Sequence, residues 1–167
     1  MRTLLLLRHA KSSWKHSGLS DHDRPLNKRG ERDAPRVGRL LQRKLLTPGV
    51  IISSTAKRAQ RTAEEVANWG EFDTAVQLEP SLYLADPETI VDVVRLAGAE
   101  AKRVLVVGHN PGMEELVGRL TGLSEPEPMP TAGLAHIRLE IDHWKELRVP
   151  SDGRLVDLWR PAELDDD

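Results

Sequence analysis

The stretch that most constrains the fold is Leu4–Leu7, a run of leucines followed directly by Arg8 and His9. A short apolar run between polar residues is typical of a strand buried on both faces, and it is too short to cross a membrane. The chain therefore leaves a predicted central strand at a guanidinium and an imidazole. Because open α/β sheets bind their ligands at the carboxyl ends of strands, this pair marks a candidate site.

Three more apolar runs predict further strands, and residues at helical spacing follow each of them. The runs are Val50–Ile52, the weaker Val76–Leu78, and Val104–Val107. Strands that alternate with helices predict a mostly parallel sheet covered on both faces, which is a single three-layer α/β/α domain. Two later segments of alternating polarity, 134–141 and 155–159, predict an antiparallel pair at one edge of the sheet.

Capping residues mark where the predicted helices begin. Asn27 caps a helix that is predicted to run to about Leu46, with Leu45 on its core face. Pro35 lies inside this helix and lacks a backbone donor, so we expect a kink or a late start there. Asn110 is the predicted cap of the last helix.

The composition of the 167-residue chain excludes several classes of protein. Its 24 lysines and arginines are balanced by 26 aspartates and glutamates, which argues against a general nucleic-acid binder. Cysteine is absent, so neither a disulfide nor a thiol nucleophile is available. No run has the length of a transmembrane helix or the form of a secretory signal, so we expect a cytoplasmic protein without a membrane partner. One domain is expected over residues 1–162, with a short acidic tail over 163–167.

The predicted strand ends gather positive charge. Arg58 falls in the first turn of the helix after the second strand, and His109 follows a later strand as His9 follows the first. Arg24 lies in the loop after the first strand. Because parallel strands end at the same edge, we expect these residues and Arg8 to converge, with no nearby carboxylate required to neutralise them. Such unpaired charge is costly unless an anion occupies the site, and a phosphoryl group is the natural anion.

Four short runs carry a resemblance to a known family: Arg8–Ser12, Asp21–Leu26, Ser53–Ala59 with Thr62 and Ala63, and Gly108–Gly112. In this order they resemble the motifs of the histidine phosphatase superfamily, also called phosphoglycerate-mutase-like. The run with Arg24-Pro25-Leu26 is similar to the small branch typified by SixA phosphohistidine phosphatases. The resemblance covers nearly the whole chain, and it implies the phosphoglycerate-mutase-like fold.

The resemblance also implies a role for each matching residue. His9 would be the nucleophile and would form a phosphohistidine intermediate. Arg8, Arg24 and Arg58 would bind the phosphoryl oxygens, and His109 would complete the pocket. Phosphoryl transfer needs mainly in-line positioning and stabilisation of charge, which fixed arginines supply without a metal or another cofactor.

The chain departs from the family pattern at two points. Many relatives have Gly-Glu after Arg-His, where this chain has Ala10-Lys11. Larger relatives carry a catalytic glutamate as proton donor on an inserted segment, and no such cap insertion is present here. Asp21 is the candidate general acid because it shares the loop of Arg24, although it could instead orient Arg24 or cap a turn. Glu79, at another strand end, stays a minor candidate.

Several functions are compatible with these residues. The leading hypothesis is a metal-independent phosphatase that acts on protein phosphohistidine. The main alternative is a phosphatase for small phosphoesters such as sugar or nucleotide phosphates. A mutase fits less well without a cap, and a non-catalytic phosphate-binding protein has no use for a nucleophile. His22 and the other histidines apart from His9 and His109 are interpreted as exposed or packing residues without metal-ligand spacing. The oligomeric state stays open.

Overall fold

The sheet has six strands in the part of the chain that the structure describes: β1 (Arg2–Arg8), β2 (Val50–Ser53), β3 (Val76–Leu78), β4 (Arg103–Gly108), β5 (Leu134–Leu139) and β6 (Arg154–Trp159). The structure is a computed structural model that describes residues 1–123, 125 and 127–164. The strand order is β3-β2-β4-β1-β5-β6. The first four strands are parallel to one another, whereas β5 and β6 form the antiparallel edge. The predicted mixed sheet is therefore confirmed.

Helices cover both faces of the sheet: α1 (Lys28–Arg43), α2 (Lys57–Gly70), α3 (Pro87–Ala97) and α4 (Gly112–Thr121). Leu5 and Leu7 share a core cluster with residues of α1 and α2, and Leu4 and Leu6 share another with residues of α3 and α4. Alternate side chains of a strand point to opposite faces, so a strand buried on both faces needs an unbroken apolar run. The leucine run thus specifies the three layers. Among the described residues, no helix has the length and apolar character needed to span a membrane.

The parallel strands bring their carboxyl ends to one edge. Arg8 pairs with Gly108 in register, and Ser53 pairs with Val107. The loop after β1 folds over this edge and is held there by α1. Gly30 permits that approach, because a Cβ atom at this position would lie 2.1 Å from the carbonyl oxygen of Lys11. Candidate residues from separate parts of the chain therefore lie side by side.

The first helix begins at its predicted cap but ends earlier than predicted. It begins at Lys28, directly after Asn27, whose side chain accepts a hydrogen bond from the backbone N–H of Gly30 at 2.9 Å. The expected late start at Pro35 is therefore wrong, and Pro35 lies within the helix. The prediction that Leu45 faces the core is also wrong, because the helix ends earlier and Leu45 is 81% exposed in a left-handed conformation.

The last helix begins slightly after its predicted cap. The first residue of α4 is Gly112, and Pro111 occupies the cap position without a side-chain hydrogen bond. Asn110 still satisfies a backbone donor at this helix end, because its side-chain oxygen accepts from the N–H of Glu114 at 3.2 Å. The helix ends at Gly122, whose left-handed conformation is common at helix C-termini and suits glycine.

The end of the described chain packs against α1. Residues Pro161–Glu163 form a short 3-10 turn, and the carbonyl of Leu164 accepts a hydrogen bond from Arg36. Leu164 also packs against the core cluster under α1 and α2. The first two residues of the predicted 163–167 tail thus contact the domain, and residues 165–167 lie outside the described residues.

Candidate active site

His9 is a buried imidazole at the end of β1. Its Nδ1 lies 2.8 Å from the carbonyl oxygen of Ala10. Because a carbonyl only accepts hydrogen bonds, Nδ1 carries the proton and Nε2 keeps its lone pair. Burial, partly opposed by the Ala10 bond and reinforced by the neighbouring guanidiniums, lowers the pKa of His9 to about 4. His9 is therefore neutral at neutral pH, which a nucleophilic imidazole requires.

His109 is the second buried imidazole, and it follows β4. Its ring centroid lies 5.1 Å from that of His9, and its Nε2 lies 2.8 Å from the hydroxyl oxygen of Ser54. The edge of Tyr83 approaches it with centroids 5.4 Å apart. Burial lowers the pKa of His109 to about 3, and the charges of His9 and Arg58 act in the same direction. Both imidazoles are thus neutral in the free site.

Arg58 connects the two imidazoles from the first turn of α2. Its Nε lies 3.4 Å from Nε2 of His9, and its Nη2 lies 3.5 Å from Nδ1 of His109. Thr62, one turn further along, holds this arrangement. Its hydroxyl donates to the carbonyl of Arg58 at 2.7 Å and accepts from the N–H of Ala10 at 3.0 Å. The helix that carries Arg58 is therefore tied to the loop that carries the nucleophile.

Arg24 reaches the site from the loop after β1. Its Nη1 donates to the hydroxyl of Ser12 at 2.8 Å, and its guanidinium carbon lies 3.4 Å from the centre of the Trp14 ring. Its Nε is 3.1 Å from one oxygen of Asp21, whose other oxygen is 3.0 Å from Nη2 of Arg58. The contact with Arg24 agrees with the role of orienting Arg24 that the sequence left open for Asp21. The contact with Arg58 was not predicted, and through it the loop partly neutralises the arginine cluster.

The ionisation of the Asp21 carboxyl group bears on its predicted role as a general acid. The Tyr83 hydroxyl donates to this carboxylate at 2.5 Å, and this bond, reinforced by Arg58 and Arg24, lowers the pKa of Asp21 to about 2. An ionised carboxylate has no proton to give. The geometry favours the other role that the sequence left open, the orientation of Arg24, and the acid role stays a prediction.

Arg8 contributes a further donor set at the end of β1. Its Nη1 donates to the carbonyl of Met129 at 3.0 Å. Its Nε is buried and has no hydrogen-bond partner among the described residues. Buried donors are normally paired, so an unpaired guanidinium nitrogen next to other arginines fits the binding of an anion.

The sequence did not single out Tyr83 as a site residue. It follows the carboxyl end of β3, a position that could have indicated a role at the site. His22, interpreted as an exposed or packing residue, packs against the Tyr83 ring with centroids 4.9 Å apart, and its Nε2 lies 2.8 Å from the hydroxyl oxygen of Thr55. The minor candidate Glu79 instead accepts hydrogen bonds from Ser81.

The predicted residues are thus brought together at one edge of the sheet. His9, Arg58 and His109 are in mutual contact, and the charges of Arg8 and Arg24 reach His9. The set combines a neutral nucleophilic imidazole with several cationic donors. It is suited to bind a tetrahedral anion and to transfer a phosphoryl group to nitrogen.

Comparisons with known proteins identify the family to which the chain is similar. The model of the histidine phosphatase superfamily (branch 1) matches residues 4–83. An uncharacterized protein of Mycobacterium tuberculosis is 34% identical over 164 residues, which are 93% of this chain and 99% of that protein.

Solved structures resemble the whole domain. A structure from Agrobacterium tumefaciens, assigned as a phosphohistidine phosphatase SixA, matches with a TM-score of 0.81 and 30% identity over 96% of this chain and 98% of that one. The protein histidine phosphatase SixA in complex with tungstate matches with a TM-score of 0.79 over 96% of this chain and 97% of that one. At 21% identity, this second likeness shows the fold alone.

Proposed function

This chain belongs to the histidine phosphatase superfamily, in its SixA-like branch, and from that premise we propose that it is a metal-independent phosphatase that works through a phosphohistidine on His9. The proposed substrate is a phosphohistidine side chain on another protein. The observation that carries the proposal is the orientation of His9, whose Nδ1–H is held by the Ala10 carbonyl while its Nε2 lone pair faces Arg58.

The proposed reaction has two steps at phosphorus. In the first, Nε2 of His9 attacks and forms an N–P bond, and the bond to the leaving group breaks with its electron pair. In the second, water attacks the phosphorylated His9, the N–P bond breaks and inorganic phosphate leaves. The Ala10 carbonyl stabilises the ring while it carries the phosphoryl group, because Nδ1–H then becomes a stronger donor. Arg8, Arg24 and Arg58 stabilise the phosphoryl oxygens.

The choice of substrate rests on the proton that each leaving group needs. A phosphoester expels an alkoxide-like oxygen and benefits from a general acid, whereas Asp21 is held ionised by Tyr83 and the arginines. Phosphohistidine leaves as neutral imidazole if its remote nitrogen is already protonated. Free imidazole has a pKa of about 6.5, so this form is accessible near neutrality. The ionised Asp21 therefore supports phosphohistidine over esters.

The test is turnover on a panel of a phosphohistidine protein, phosphoserine, phosphotyrosine, and sugar and nucleotide phosphates. We expect kcat/KM for phosphohistidine to exceed that for alkyl esters by at least about tenfold, the low end for an effect of general acid catalysis. A preference for a sugar or nucleotide phosphate would establish the small-phosphoester alternative. Binding of phosphate without turnover of any substrate would make the chain a phosphate-binding protein.

The covalent step is tested by changing the nucleophile. His9→Ala should abolish turnover, because it removes the Nε2 atom that forms the N–P bond in the proposed reaction. The wild-type protein, quenched during turnover, should carry an acid-labile, base-stable phosphate on His9. His16→Ala, at an exposed position, is the matched control. Substantial activity in His9→Ala would exclude the covalent mechanism.

Metal independence needs its own measurement. The arginines can take the place of a metal ion in stabilising charge, so activity should persist in excess EDTA. Loss of activity with EDTA and rescue by one divalent metal would contradict this part of the proposal.

A further inference from the structure

Ser54 contacts His109 at a position that neither the motifs nor the proposed reaction explains. It directly follows β2 and is fully buried, and His109 is 3% exposed. The Ser54 hydroxyl oxygen lies 2.8 Å from Nε2 of His109 and also accepts a hydrogen bond from the backbone N–H of Ala56 at 3.2 Å. The hydroxyl is thus the link between His109 and the start of the helix that carries Arg58.

The hydrogen-bond requirements of these buried groups decide which atom is the donor. A serine hydroxyl has one proton and two acceptor lone pairs. One lone pair of Ser54 is used by Ala56, and among the described residues the proton has no acceptor other than Nε2 of His109. If His109 carried its proton on Nε2, the Ser54 proton would be buried without a partner, which is costly in a protein interior.

We propose that Ser54 is a positioning residue whose hydroxyl donates to Nε2 of His109 and thereby keeps neutral His109 protonated on Nδ1. In this tautomer Nδ1–H points toward Arg58. Arg58 can only donate, but the distance of 3.5 Å between its Nη2 and Nδ1 of His109 is at the limit for a hydrogen bond, so this contact competes only weakly with the bond from Ser54. With Nδ1 protonated, the two groups can donate to one acceptor between them. That acceptor is an oxygen of the phosphoryl group. Neutral His109 then acts as a hydrogen-bond donor without having to take up a proton.

The two neutral imidazoles are therefore held in the same tautomer, with the proton on Nδ1, by different partners. His9 keeps its proton on Nδ1 because the Ala10 carbonyl can only accept, and this directs its Nε2 lone pair toward the phosphorus. His109 keeps its proton on Nδ1 because the Ser54 hydroxyl donates to its other nitrogen. A backbone carbonyl cannot be changed by mutation, whereas the hydroxyl can, so the inference is open to test.

The tautomer can be measured without any assumption about function. We expect ring ¹⁵N NMR spectra of the wild-type protein at neutral pH to show His109 protonated on Nδ1, with the resonances assigned by comparison with His109→Gln. In Ser54→Ala, His109 should shift wholly or partly to the Nε2–H tautomer, because nothing then donates to Nε2. Ser53→Ala is the matched control, since Ser53 is equally buried but its hydroxyl donates to a backbone carbonyl at 2.9 Å. This variant should keep the wild-type tautomer.

The effect on turnover rests on the proposed function and is measured separately. Ser54→Ala should lower kcat/KM on the best substrate by at least about tenfold, since a donor to the phosphoryl oxygen is lost from part of the population. Ser54→Cys, which keeps a weak donor, should restore the Nδ1–H tautomer and activity in part.

Two outcomes would overturn the assignment. Wild-type His109 protonated on Nε2 would refute it, and so would an unchanged Nδ1–H tautomer in Ser54→Ala. If Ser54→Ala does not fold, the assignment is tested by the His109 tautomer in the spectra of the wild-type protein and of Ser54→Cys. If the wild-type protein turns over no phosphorylated compound, the proposed function fails while the tautomer measurement still stands.

Discussion

The site has two halves that are built differently. The strand-end half consists of His9, Arg58 and His109, which follow parallel strands or begin a helix and are each less than 8% exposed. The loop half consists of the segment Trp14–Arg24, in which the indole of Trp14 is 75% exposed. The first half is held by backbone hydrogen bonds of the sheet. The second is held by side chains that contact one another across a turn.

This difference assigns different tasks to the two halves. In the strand-end half, His9, Arg58 and His109 contact one another directly. Their positions are fixed by the strands and the helix that carry them. In the loop half, Arg24 reaches the site through bonds to Ser12 and Asp21. Sites held by rigid elements are more precise than sites on loops. We therefore expect damage to the strand-end half to reduce catalysis most, and damage to the loop half to reduce it less.

Replacement of Arg58 is the largest expected effect among the arginines. Arg58→Ala should lower kcat/KM by about 100- to 1000-fold, as for loss of an oxyanion donor, because Arg58 contacts both imidazoles. Arg58→Lys should recover only part, since lysine lacks the planar fork. Steady-state kinetics check this, with Arg61→Ala on the exposed side of the same helix as control. Full activity in Arg58→Lys would contradict the expectation that the planar guanidinium of Arg58 is needed for catalysis.

Replacement of Arg24 should have a smaller effect. Arg24→Ala is expected to lower kcat/KM by about 10- to 100-fold, in the range of one lost hydrogen bond to a charged group. The reason is that its contacts run to Asp21, Ser12 and Trp14 rather than to an imidazole. Arg29→Ala, at an exposed position of α1, is the control for the same kinetic assay. A loss as large as that of Arg58→Ala would remove the distinction between the halves.

Asp21→Asn distinguishes positioning from acid catalysis. If Asp21 only orients Arg24 and Arg58, the variant should lower kcat/KM by about tenfold or less and by the same factor for esters and phosphohistidine. A general acid would instead be needed more for the ester. Asp23→Asn, at the exposed end of the same turn, is the control. A loss confined to esters would restore Asp21 as the acid.

Trp14→Ala should have the smallest effect. The indole stacks on the Arg24 guanidinium at an exposed position, where a cation–π contact contributes about 0.5–1 kcal/mol, so kcat/KM should fall by about two- to fivefold. Trp14→Phe should recover part of the loss. Trp69→Ala is a matched control, because Trp69 is also exposed and stacks on Arg39 at 4.5 Å, away from the site residues. Equal effects of the two tryptophan changes would show that the Trp14 contact has no catalytic role.

The fold and the strand-end half could be predicted because both depend on local patterns. The run Leu4–Leu7 must be covered on both faces, and parallel strands must end at one edge. These two rules are enough to place His9, Arg58 and His109 together without knowledge of any distant contact. The same local reasoning placed the cap at Asn27, where the side chain does accept from a backbone N–H.

The loop half could not be predicted in the same way. Asp21 was proposed as an acid or as a residue that orients Arg24, but its bridge to Arg58 and the bond from Tyr83, which lies 62 positions away in the chain, were not predicted. The contact between His22 and Tyr83 was not predicted either. A loop adopts the path that its tertiary contacts select, and no periodicity in its sequence encodes that path.

The sequence by itself determined the layers and the gathering of His9, Arg58 and His109 at one edge of the sheet, because burial patterns and strand-end positions are local properties of the chain. The role of His9 as nucleophile came from the family resemblance and stays a prediction. Only the tertiary structure decided the charge on Asp21 and the protonation of the two imidazoles. A pKa and a tautomer depend on burial and on the partners within hydrogen-bond distance. The partners Ser54 and Tyr83 come from strands that meet His109 and Asp21 only after the sheet has formed.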